Sequence, residues 1–565
     1  MPRRGLLSYL PALTLALFLA PVVAGLVGTW LPAFGYFPTL GGERFSLTPW
    51  AMLLAQPGLG ESLRLTLLSG FLSTFLAFSL TIFFLAACHD GRLVLLLRGA
   101  MAPLIAVPHA AVALGLAFLI APSGWLVRLA SPWATGWELP PDIATLQDPN
   151  GLALTLGLVI KELPFLLLMT LAALGQVRAE ERLAVARSLG YGPVTAWLKA
   201  VLPAVYRQIR LPVYAVLAYA LSVVDMAIVL APLTPPPLAV QVLRWFNDPD
   251  LTMRFVAAAG AALQLLVVVA GIAVWRCGEL AAAAIGRAWI AGGARGGSGR
   301  LLRPFASGLL VALVMLAGAG MLALALWSVT RRWRYPDAWP AELSLETWAR
   351  QAPDVVSITG TTLLLGLAAA AIALLLVLGC LENEQRRGLT PSNRALWLLY
   401  APLLVPQVAF LFGTQVLAIH AGLDASWVAL VWSHLLFVLP YVFLTLGDSY
   451  RALDERYTRT ALCLGARPNR VFWQVKLPML LRPVLFALAV GFAVSVTQYL
   501  PTLFAGGGRI VTLTTEAVGL SAGGDRRVIG VYAFLQALLP LLAFAAALAL
   551  PRPIAQRRKR RPQPA

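Results

Sequence analysis

Twelve long apolar runs limit this chain of 565 residues to folds that a lipid bilayer can accept. A helix of about 20 apolar residues crosses the ~30 Å hydrocarbon core of a bilayer. The runs lie at 8–30, 63–87, 99–121, 152–174, 211–232, 254–275, 305–328, 357–380, 395–419, 425–447, 483–503 and 529–551. Hydrophobic residues make up 59% of the chain and charged residues only 12%, which excludes an ordinary soluble domain. The sequence predicts an all-α, polytopic membrane protein of about 12 transmembrane helices, kinked or split in the Pro-containing runs at 99–121 and 395–419.

The net charge of +19 is explained by membrane topology. If the N-terminus is cytoplasmic, twelve spans return the C-terminus to the cytoplasm, and most Lys and Arg residues then lie in cytoplasmic loops, as the positive-inside rule requires. We therefore expect no nucleic-acid partner. The basic run at 557–561 fits the same topology, and its alternative role is attraction to anionic membrane lipid. All four cysteines fall on the cytoplasmic side, so we expect no disulfides.

A repeat without gaps divides the chain into two halves. LGYGPVTAWLKAVLP at 189–203 and LGARPNRVFWQVKLP at 464–478 share Leu-Gly, a Pro three residues later and a final Leu-Pro. Each copy follows the fourth predicted helix of a six-helix half, and an even number of spans separates the copies. Both copies therefore face the same side, and the halves are parallel. We predict halves at 1–285 and 304–565, joined by the Gly/Arg-rich segment 286–303, whose composition favours a flexible linker.

Each copy of the repeat predicts the same local structure, which is a helix, a glycine turn, a second helix and a proline. Three pairs of residues define it: Gly190 and Gly465, Pro193 and Pro468, and Pro203 and Pro478. The glycine suits the left-handed position that follows a helix. The first proline suits the first turn of the next helix, and the second marks a break or kink before the membrane.

The first helix of each copy carries apolar residues at helical spacing. They are Leu183, Ala186 and Leu189 in the first copy, and Leu453, Tyr457, Ala461 and Leu464 in the second. A helix of about ten residues is too short to be stable alone in water, so something should cover this stripe. A single copy would favour a helix lying on the bilayer surface. Two equivalent copies on one face favour two equivalent binding sites on a dimeric partner.

The repeat resembles the EAA loop of permease subunits in binding-protein-dependent ABC importers. That loop has Glu-Ala-Ala, three residues, Gly, nine residues, Ile, one residue and Leu-Pro. The matching residues are Ala186, Gly190, Leu202 and Pro203 in the first half, and Ala461, Gly465, Leu477 and Pro478 in the second. Ala184 and Arg459 replace the Glu of the motif. The resemblance therefore implies that the loop docks on a partner, but it does not imply the role of the acid.

Nearly the whole chain is similar to the double-length permeases of ferric-iron and thiamine importers, and SPWATGW and KELPFLLLM resemble a bacterial inner-membrane branch of that group. The resemblance implies a type I ABC importer permease fold in the bacterial inner membrane, with cytoplasmic N- and C-termini. It implies that a first coupling loop (178–208) and a second coupling loop (451–481) dock on a homodimeric ABC ATPase subunit. It also implies an external, periplasmic binding protein that delivers a small solute.

The chain has no ATP-binding motif of its own. A P-loop needs Gly-Lys after a glycine-rich turn, and no Gly-Lys occurs in the sequence. ATP is therefore expected on the partner subunit, and no cofactor on this chain. No Ser/His/Asp arrangement, carboxylate pair or Cys/His cluster suggests chemistry on a substrate, so we expect a transport subunit and not an enzyme.

Polar residues within the spans are candidates for the translocation path or its gate, because they are costly in lipid unless partnered or wetted. They occupy corresponding positions in the two halves: Lys161, Glu162 and Asp225 in the first, and Ser433, His434 and Gln498 in the second. The alternative is a pairing of Lys161 with Asp225 or Glu162 that only fixes helix packing. We expect His109, beside Pro108, at a helix kink and not in a ligand site.

Two other functions remain open at this point. A secondary active transporter could also have two six-helix halves, and CHDGR at 88–92 resembles a loop of major-facilitator proteins, but such a transporter does not need the repeat. A membrane-bound enzyme would need clustered carboxylates or a base at one interface. The sequence leaves the solute open between thiamine, ferric iron and small anions.

Overall fold

The computed structural model describes residues 6–88, 104–297, 299, 302–389 and 402–550. Three predictions lie outside these residues. They are the beginnings of the third and ninth spans, the loop that follows Cys88, and the basic run at 557–561.

Helices dominate the first half, because its long Leu-, Ala- and Val-rich runs can satisfy their backbone hydrogen bonds in lipid only within a helix. The helices are α1 (Leu10–Ala33), α2 (Thr48–Leu54), α3 (Leu59–Cys88), α4 (His109–Ile120), α5 (Trp125–Ala130), α6 (Leu152–Gln176), α7 (Ala179–Ser188), α8 (Pro193–Ala196), α9 (Leu202–Ser222), α10 (Asp225–Leu230), α11 (Leu238–Phe246) and α12 (Met253–Ala291).

The second half repeats this order. Its elements are α13 (Leu302–Ser328), a two-stranded antiparallel ribbon of β1 (Thr330–Arg332) and β2 (Glu342–Leu343), α14 (Glu346–Arg387), α15 (Val408–His420), α16 (Trp427–Arg451), α17 (Glu455–Cys463), α18 (Pro468–Val471), α19 (Leu477–Met479), α20 (Leu481–Val496), α21 (Leu500–Gly506), α22 (Leu513–Leu520) and α23 (Arg526–Ala549).

Nine helices of the described residues are long and apolar enough to cross a bilayer, and a bent pair, Pro468–Met479 with Leu481–Val496, makes a tenth. The prediction of an all-α membrane protein is confirmed. Two further predicted spans are not among these ten, for separate reasons. The span at 211–232 is interrupted within the membrane, and only the part of 395–419 from residue 402 onwards is described.

The fifth span of each half is broken, whereas the sequence predicted one continuous helix across 211–232 and another across 483–503. α9 ends at Ser222 before α10 begins, and α20 ends at Val496 before α21 begins. A break exposes backbone carbonyls that must find other donors in the membrane. The Gln264 amide donates to the carbonyl of Leu221 at 2.9 Å, and the Thr514 hydroxyl donates to that of Val496. Side chains from later helices therefore stabilise both breaks.

The third span of each half is split at its proline, as predicted. The described helical residues 104–106 and 402–404 end before Pro108 and Pro406, and α4 and α15 begin after these prolines. Proline has no N–H to donate to the preceding turn, so the helix is interrupted there.

The two halves exchange their first helices. α1 packs along α15 of the second half, and α13 packs along α4 of the first. Both crossings occur at glycines, which let helix backbones approach closely. A Cβ placed on Gly413 would lie 2.0 Å from the carbonyl oxygen of Gly25, and one placed on Gly115 would lie 2.9 Å from that of Gly320. At the first crossing, the Gly413 N–H also donates to the Thr29 hydroxyl at 3.1 Å.

Both coupling loops lie at one end of the helix bundle, which we call the coupling end. α12 ends in the predicted linker, whose Arg295 carbonyl accepts the N–H of Gly192 in the first coupling loop at 2.9 Å. α13 leaves from this linker towards the opposite end, and α14 returns. Near the end of α14, Arg386 donates to the side-chain oxygen of Asn469 in the second coupling loop at 3.1 Å.

Candidate functional site

The glycine turns of the coupling loops have the same hydrogen bonds in both copies. The Gly190 N–H donates to Arg187 O at 2.9 Å, and the next N–H donates to Ala186 O at 3.2 Å. The Gly465 N–H donates to Leu462 O at 3.0 Å, and the next N–H donates to Ala461 O at 3.1 Å. These are Schellman motifs, which require a left-handed residue.

Glycine supplies that conformation in both loops, with φ of +82° at Gly190 and +81° at Gly465. Pro193 and Pro468 open the next helices, as predicted. The two loops therefore connect α7 and α17 to the following helices through the same type of turn.

Each second helix runs into a π-helical turn, at Trp197–Val201 in the first half and Phe472–Lys476 in the second. Leu202-Pro203 and Leu477-Pro478 follow these turns directly. Since proline cannot donate to the carbonyl four residues before it, a wider turn at this place is expected. In the second half the chain then bends by 77° at Leu480.

The apolar residues of α7 divide into a buried and an exposed set. Leu183 and Ala186 are buried in one cluster with Trp197, so the protein itself covers part of the predicted stripe. Leu189 is 58% exposed, and Val185 beside it is also exposed.

α17 is more open than α7 and contributes no buried residue. Leu464 is 82% exposed and Tyr457 is exposed, whereas Ala461 is half-buried. Each loop thus offers uncovered apolar side chains at the coupling end, and the second loop offers more of them than the first.

A buried ion pair attaches the second coupling loop to the membrane helices. Lys476 Nζ lies 2.8 Å from Glu382 Oε2 on α14, and both side chains are almost fully buried. The same ammonium donates to the Gln385 side chain at 2.8 Å. Glu382 also accepts from Arg386 and from the Tyr450 hydroxyl on α16. A carboxylate with three donors is well compensated for its burial.

In the first half, Lys161 stabilises the split third span. Its ammonium donates to the carbonyls of Val107 at 2.6 Å, Ile105 at 2.8 Å and Leu104 at 3.3 Å. Pro108 leaves these carbonyls without backbone donors. Backbone oxygens, and not the carboxylates weighed from the sequence, are therefore the acceptors of the Lys161 ammonium.

The two carboxylates are connected through His109 and Tyr219. His109 Nε2 lies 3.5 Å from Glu162 Oε1, and its ring centroid lies 4.6 Å from that of Tyr219. The Tyr219 hydroxyl donates to Asp225 Oδ1 at 3.3 Å. Asp225 begins α10, directly after the break in the fifth span.

Two tyrosines of the second half lie within electrostatic range of the same carboxylates, Tyr441 on α16 near Glu162 and Tyr499 beside the second break near Asp225. Tyr441 is 38% exposed and Tyr499 is partly exposed, whereas Glu162 and Asp225 are buried. We call Glu162, Asp225 and His109, together with Tyr219, Tyr441 and Tyr499, the acidic cluster.

The corresponding residues of the second half hold the broken span together. His434 is fully buried, and its ring nitrogens lie 2.8 Å from the Ser495 hydroxyl on α20 and 2.9 Å from the Thr502 hydroxyl on α21. The Ser433 hydroxyl contacts the backbone of α21. Gln498 lies within the break, and its amide donates to the Val494 carbonyl of α20 at 3.0 Å; its buried side-chain oxygen has no hydrogen-bond partner among the described residues.

The six polar residues predicted from the sequence therefore fall into two groups. Glu162 and Asp225 lie in the acidic cluster, while Lys161, Ser433, His434 and Gln498 form hydrogen bonds at chain breaks. Sequence reasoning missed the contact of His109 with Glu162 and all three tyrosines. A histidine next to the proline that splits an apolar run was the available signal for His109.

Comparison with known proteins agrees with this architecture. A family model described as a binding-protein-dependent transport system inner membrane component matches residues 359–560, which include the second coupling loop. The chain is 33% identical over 510 residues to the inner membrane ABC transporter permease protein YnjC of Escherichia coli (strain K12), an alignment that covers 90% of this chain and 91% of YnjC. The chain belongs to the binding-protein-dependent ABC transporter permeases. Because the alignment with YnjC spans both halves, this chain is a fused permease of double length.

Shorter relatives match parts of the permease. The molybdenum transport system permease protein ModB of Mycobacterium tuberculosis (strain ATCC 25618 / H37Rv) is 30% identical over 217 residues, which is 36% of the permease and 79% of ModB. The putrescine transport system permease protein PotI of Escherichia coli (strain K12) is 27% identical over 128 residues, which is 22% of the permease and 46% of PotI. The names of these relatives thus include different solutes.

Proposed function

We propose that the permease is the membrane subunit of an ABC importer. It moves a small solute, delivered by an external binding protein, into the cytoplasm, and a separate homodimeric ATPase docked on both coupling loops supplies the energy. The observation that supports this best is the pair of identical Schellman turns at one end of the bundle, each next to exposed apolar residues. In this proposal the coupling end and both chain termini are cytoplasmic.

Substitution of Leu464 by glutamate should abolish stable association with the cognate ATPase subunit. Leu464 is 82% exposed, so the change leaves the fold intact but places a charge in an apolar docking surface. We expect at least about tenfold less ATPase to co-elute with the permease in detergent, which corresponds to roughly 1.4 kcal/mol. Leu189→Glu should have a similar, smaller effect.

Leu343→Glu is the matched control, because Leu343 is 60% exposed in β2 at the opposite end. Its co-elution with the ATPase should equal that of the wild type. Uptake into proteoliposomes driven by an ion gradient alone, without the ATPase, would contradict the proposal and favour a secondary transporter.

We further propose that the solute is a cation and passes the acidic cluster. Two buried carboxylates of the first half lie near partly exposed tyrosines of the second half, whereas the nearby Lys161 is occupied by three carbonyls. Carboxylates attract cations and repel oxyanions, and tyrosine faces add cation–π attraction. Putrescine, in the name of one relative, is a cation, as are thiamine and ferric iron, the solutes of the permease group that the sequence resembles.

Asp225→Asn should lower uptake by about tenfold or more while the yield of folded permease stays near that of the wild type, because the charge and not the shape is removed. Uptake into proteoliposomes with the ATPase and binding protein, alongside size-exclusion profiles, measures both. Glu61→Gln, in an exposed pair with Arg64, is the matched control and should transport normally. Loss of folded protein without a selective transport defect would assign Asp225 a purely structural role.

A further inference from the structure

The predicted linker lies directly on the first coupling loop. Its residues 286–291 form the last turns of α12, and the ammonium of Lys199 lies against the end of that helix. Lys199 Nζ donates to the carbonyls of Trp289 at 3.0 Å and Ala294 at 2.8 Å. It also lies 4.6 Å from the centroid of the Trp289 ring. A cation is favourable at the carbonyl end of a helix, where the last carbonyls have no backbone donors.

The linker backbone packs closely against the backbone and side chains of the same loop. The N–H of Gly192 donates to the carbonyl of Arg295 at 2.9 Å. A Cβ placed on Gly192 would lie 2.1 Å from the carbonyl oxygen of Gly297, and one placed on Gly296 would lie 2.0 Å from the hydroxyl oxygen of Thr195. Contacts this close leave no space for any side chain between the linker and residues 192–195.

The second coupling loop is held in a different way. The residue that corresponds to Lys199 is Gln474, which is exposed and accepts a hydrogen bond from Arg470 at 2.8 Å. The lysine of this copy stands two residues later, at position 476, and its ammonium reaches Glu382 on α14 at 2.8 Å. One loop is therefore attached to the joint between the halves, and the other to a membrane helix of its own half.

We propose that the linker is a clamp that positions the first coupling loop, with Lys199 as its positioning residue, so that the two ATPase docking sites are mechanically inequivalent. The clamp also holds the exposed side chain of Trp289 beside Lys199 of the first loop, and the next residue, Ile290, is exposed as well. The first docking surface then includes linker residues, and the second consists of its own loop alone. The docking part rests on the proposed function, but the clamp itself does not.

Hydrogen–deuterium exchange of the full-length permease in lipid nanodiscs, without any ATPase, tests the clamp. Gly296→Ala should raise the exchange rate of residues 190–196 by about tenfold or more, because its methyl group displaces the linker from Thr195. Residues 465–471 should change less than about twofold. Lys199→Met should act like Gly296→Ala.

Gly293→Ala is a matched control within the same linker. Gly293 and Gly296 both have left-handed φ, +65° and +71°, so alanine strains the backbone equally at the two positions. A Cβ on Gly293 meets nothing within 4 Å, so residues 190–196 should keep the exchange rate of the wild type. Equal effects of the two substitutions, or no effect of Gly296→Ala, would overturn the clamp.

Photo-cross-linking separates the clamp from the docking proposal. With a benzophenone amino acid at position 189 or 464, both wild-type loops should cross-link to the cognate ATPase, whereas Gly296→Ala should weaken only the cross-link from 189. Equal loss at both positions would refute the inequivalence. If neither wild-type position cross-links, the docking proposal fails, while the exchange result still decides whether the linker holds the loop.

Discussion

Replacement of Gly413 by alanine should prevent the permease from folding. The new methyl carbon would lie 2.0 Å from the carbonyl oxygen of Gly25, with two further Gly25 backbone atoms within 2.9 Å. Backbone atoms in the middle of two packed helices cannot rotate away as a side chain can, so α1 and α15 must separate. Overpacking in cores costs about 1–3 kcal/mol where side chains can adjust, and we expect more than about 3 kcal/mol here. A fluorescent fusion analysed by size-exclusion chromatography should show at least about tenfold less monodisperse protein.

Two further glycines make this a graded experiment. Gly318→Ala on α13 is the matched control, because a Cβ there meets nothing within 4 Å, and its yield should be that of the wild type or better. Gly115→Ala should fall between the two, since its closest contacts are 2.9 Å from Gly320. A normal yield from Gly413→Ala would mean that the exchange of first helices does not occur as described.

Substitution of Lys476 by methionine should destabilise the permease by about 3 kcal/mol, at the lower end of the range of 3–5 kcal/mol for breaking a buried ion pair. The change leaves the Glu382 carboxylate buried without the ammonium of Lys476, although Arg386 at 2.6 Å still compensates part of its charge. Thermal unfolding in detergent should show a fall of several degrees in the midpoint, and the second coupling loop should exchange faster.

A double-mutant cycle isolates the pair. Lys476→Met with Glu382→Gln should recover much of the loss, because no buried carboxylate is then left charged and Arg386, which loses this partner, is 29% exposed. Arg459→Met serves as the control: its pair with Glu455 is well exposed, and such pairs contribute only about 0–1 kcal/mol. If the single and double variants lose equal stability, Lys476 contributes through packing and not through charge.

The sequence could predict those features of the fold that depend only on nearby residues in the chain. The turns at Gly190 and Gly465 and the splits at Pro108 and Pro406 follow from residues whose backbone preferences hold in any surroundings. The apolar runs likewise locate the membrane helices, because their length is a property of the segment alone.

The remaining features depend on distant residues and therefore have no local signal. The break after Ser222 lies in SVVD, which contains no Gly or Pro to mark it, and the donor that satisfies the free carbonyl of Leu221 is Gln264 on another helix. The acceptors of Lys161 are carbonyls more than 50 residues away in sequence. The exchange of α1 and α13 between the halves depends on which helices meet, and hydropathy carries no information about that choice.

That exchange also sets the order of events during biosynthesis. The Thr29 hydroxyl and the Gly413 N–H that bind each other at the first crossing are 384 residues apart in sequence. At a translation rate of roughly 5–20 residues per second, α1 waits about 20–80 s in the bilayer before its partner helix is synthesised. Over that interval its glycine face is open to lipid or to other nascent helices, so this face lacks its final partner until about three quarters of the polypeptide has been made.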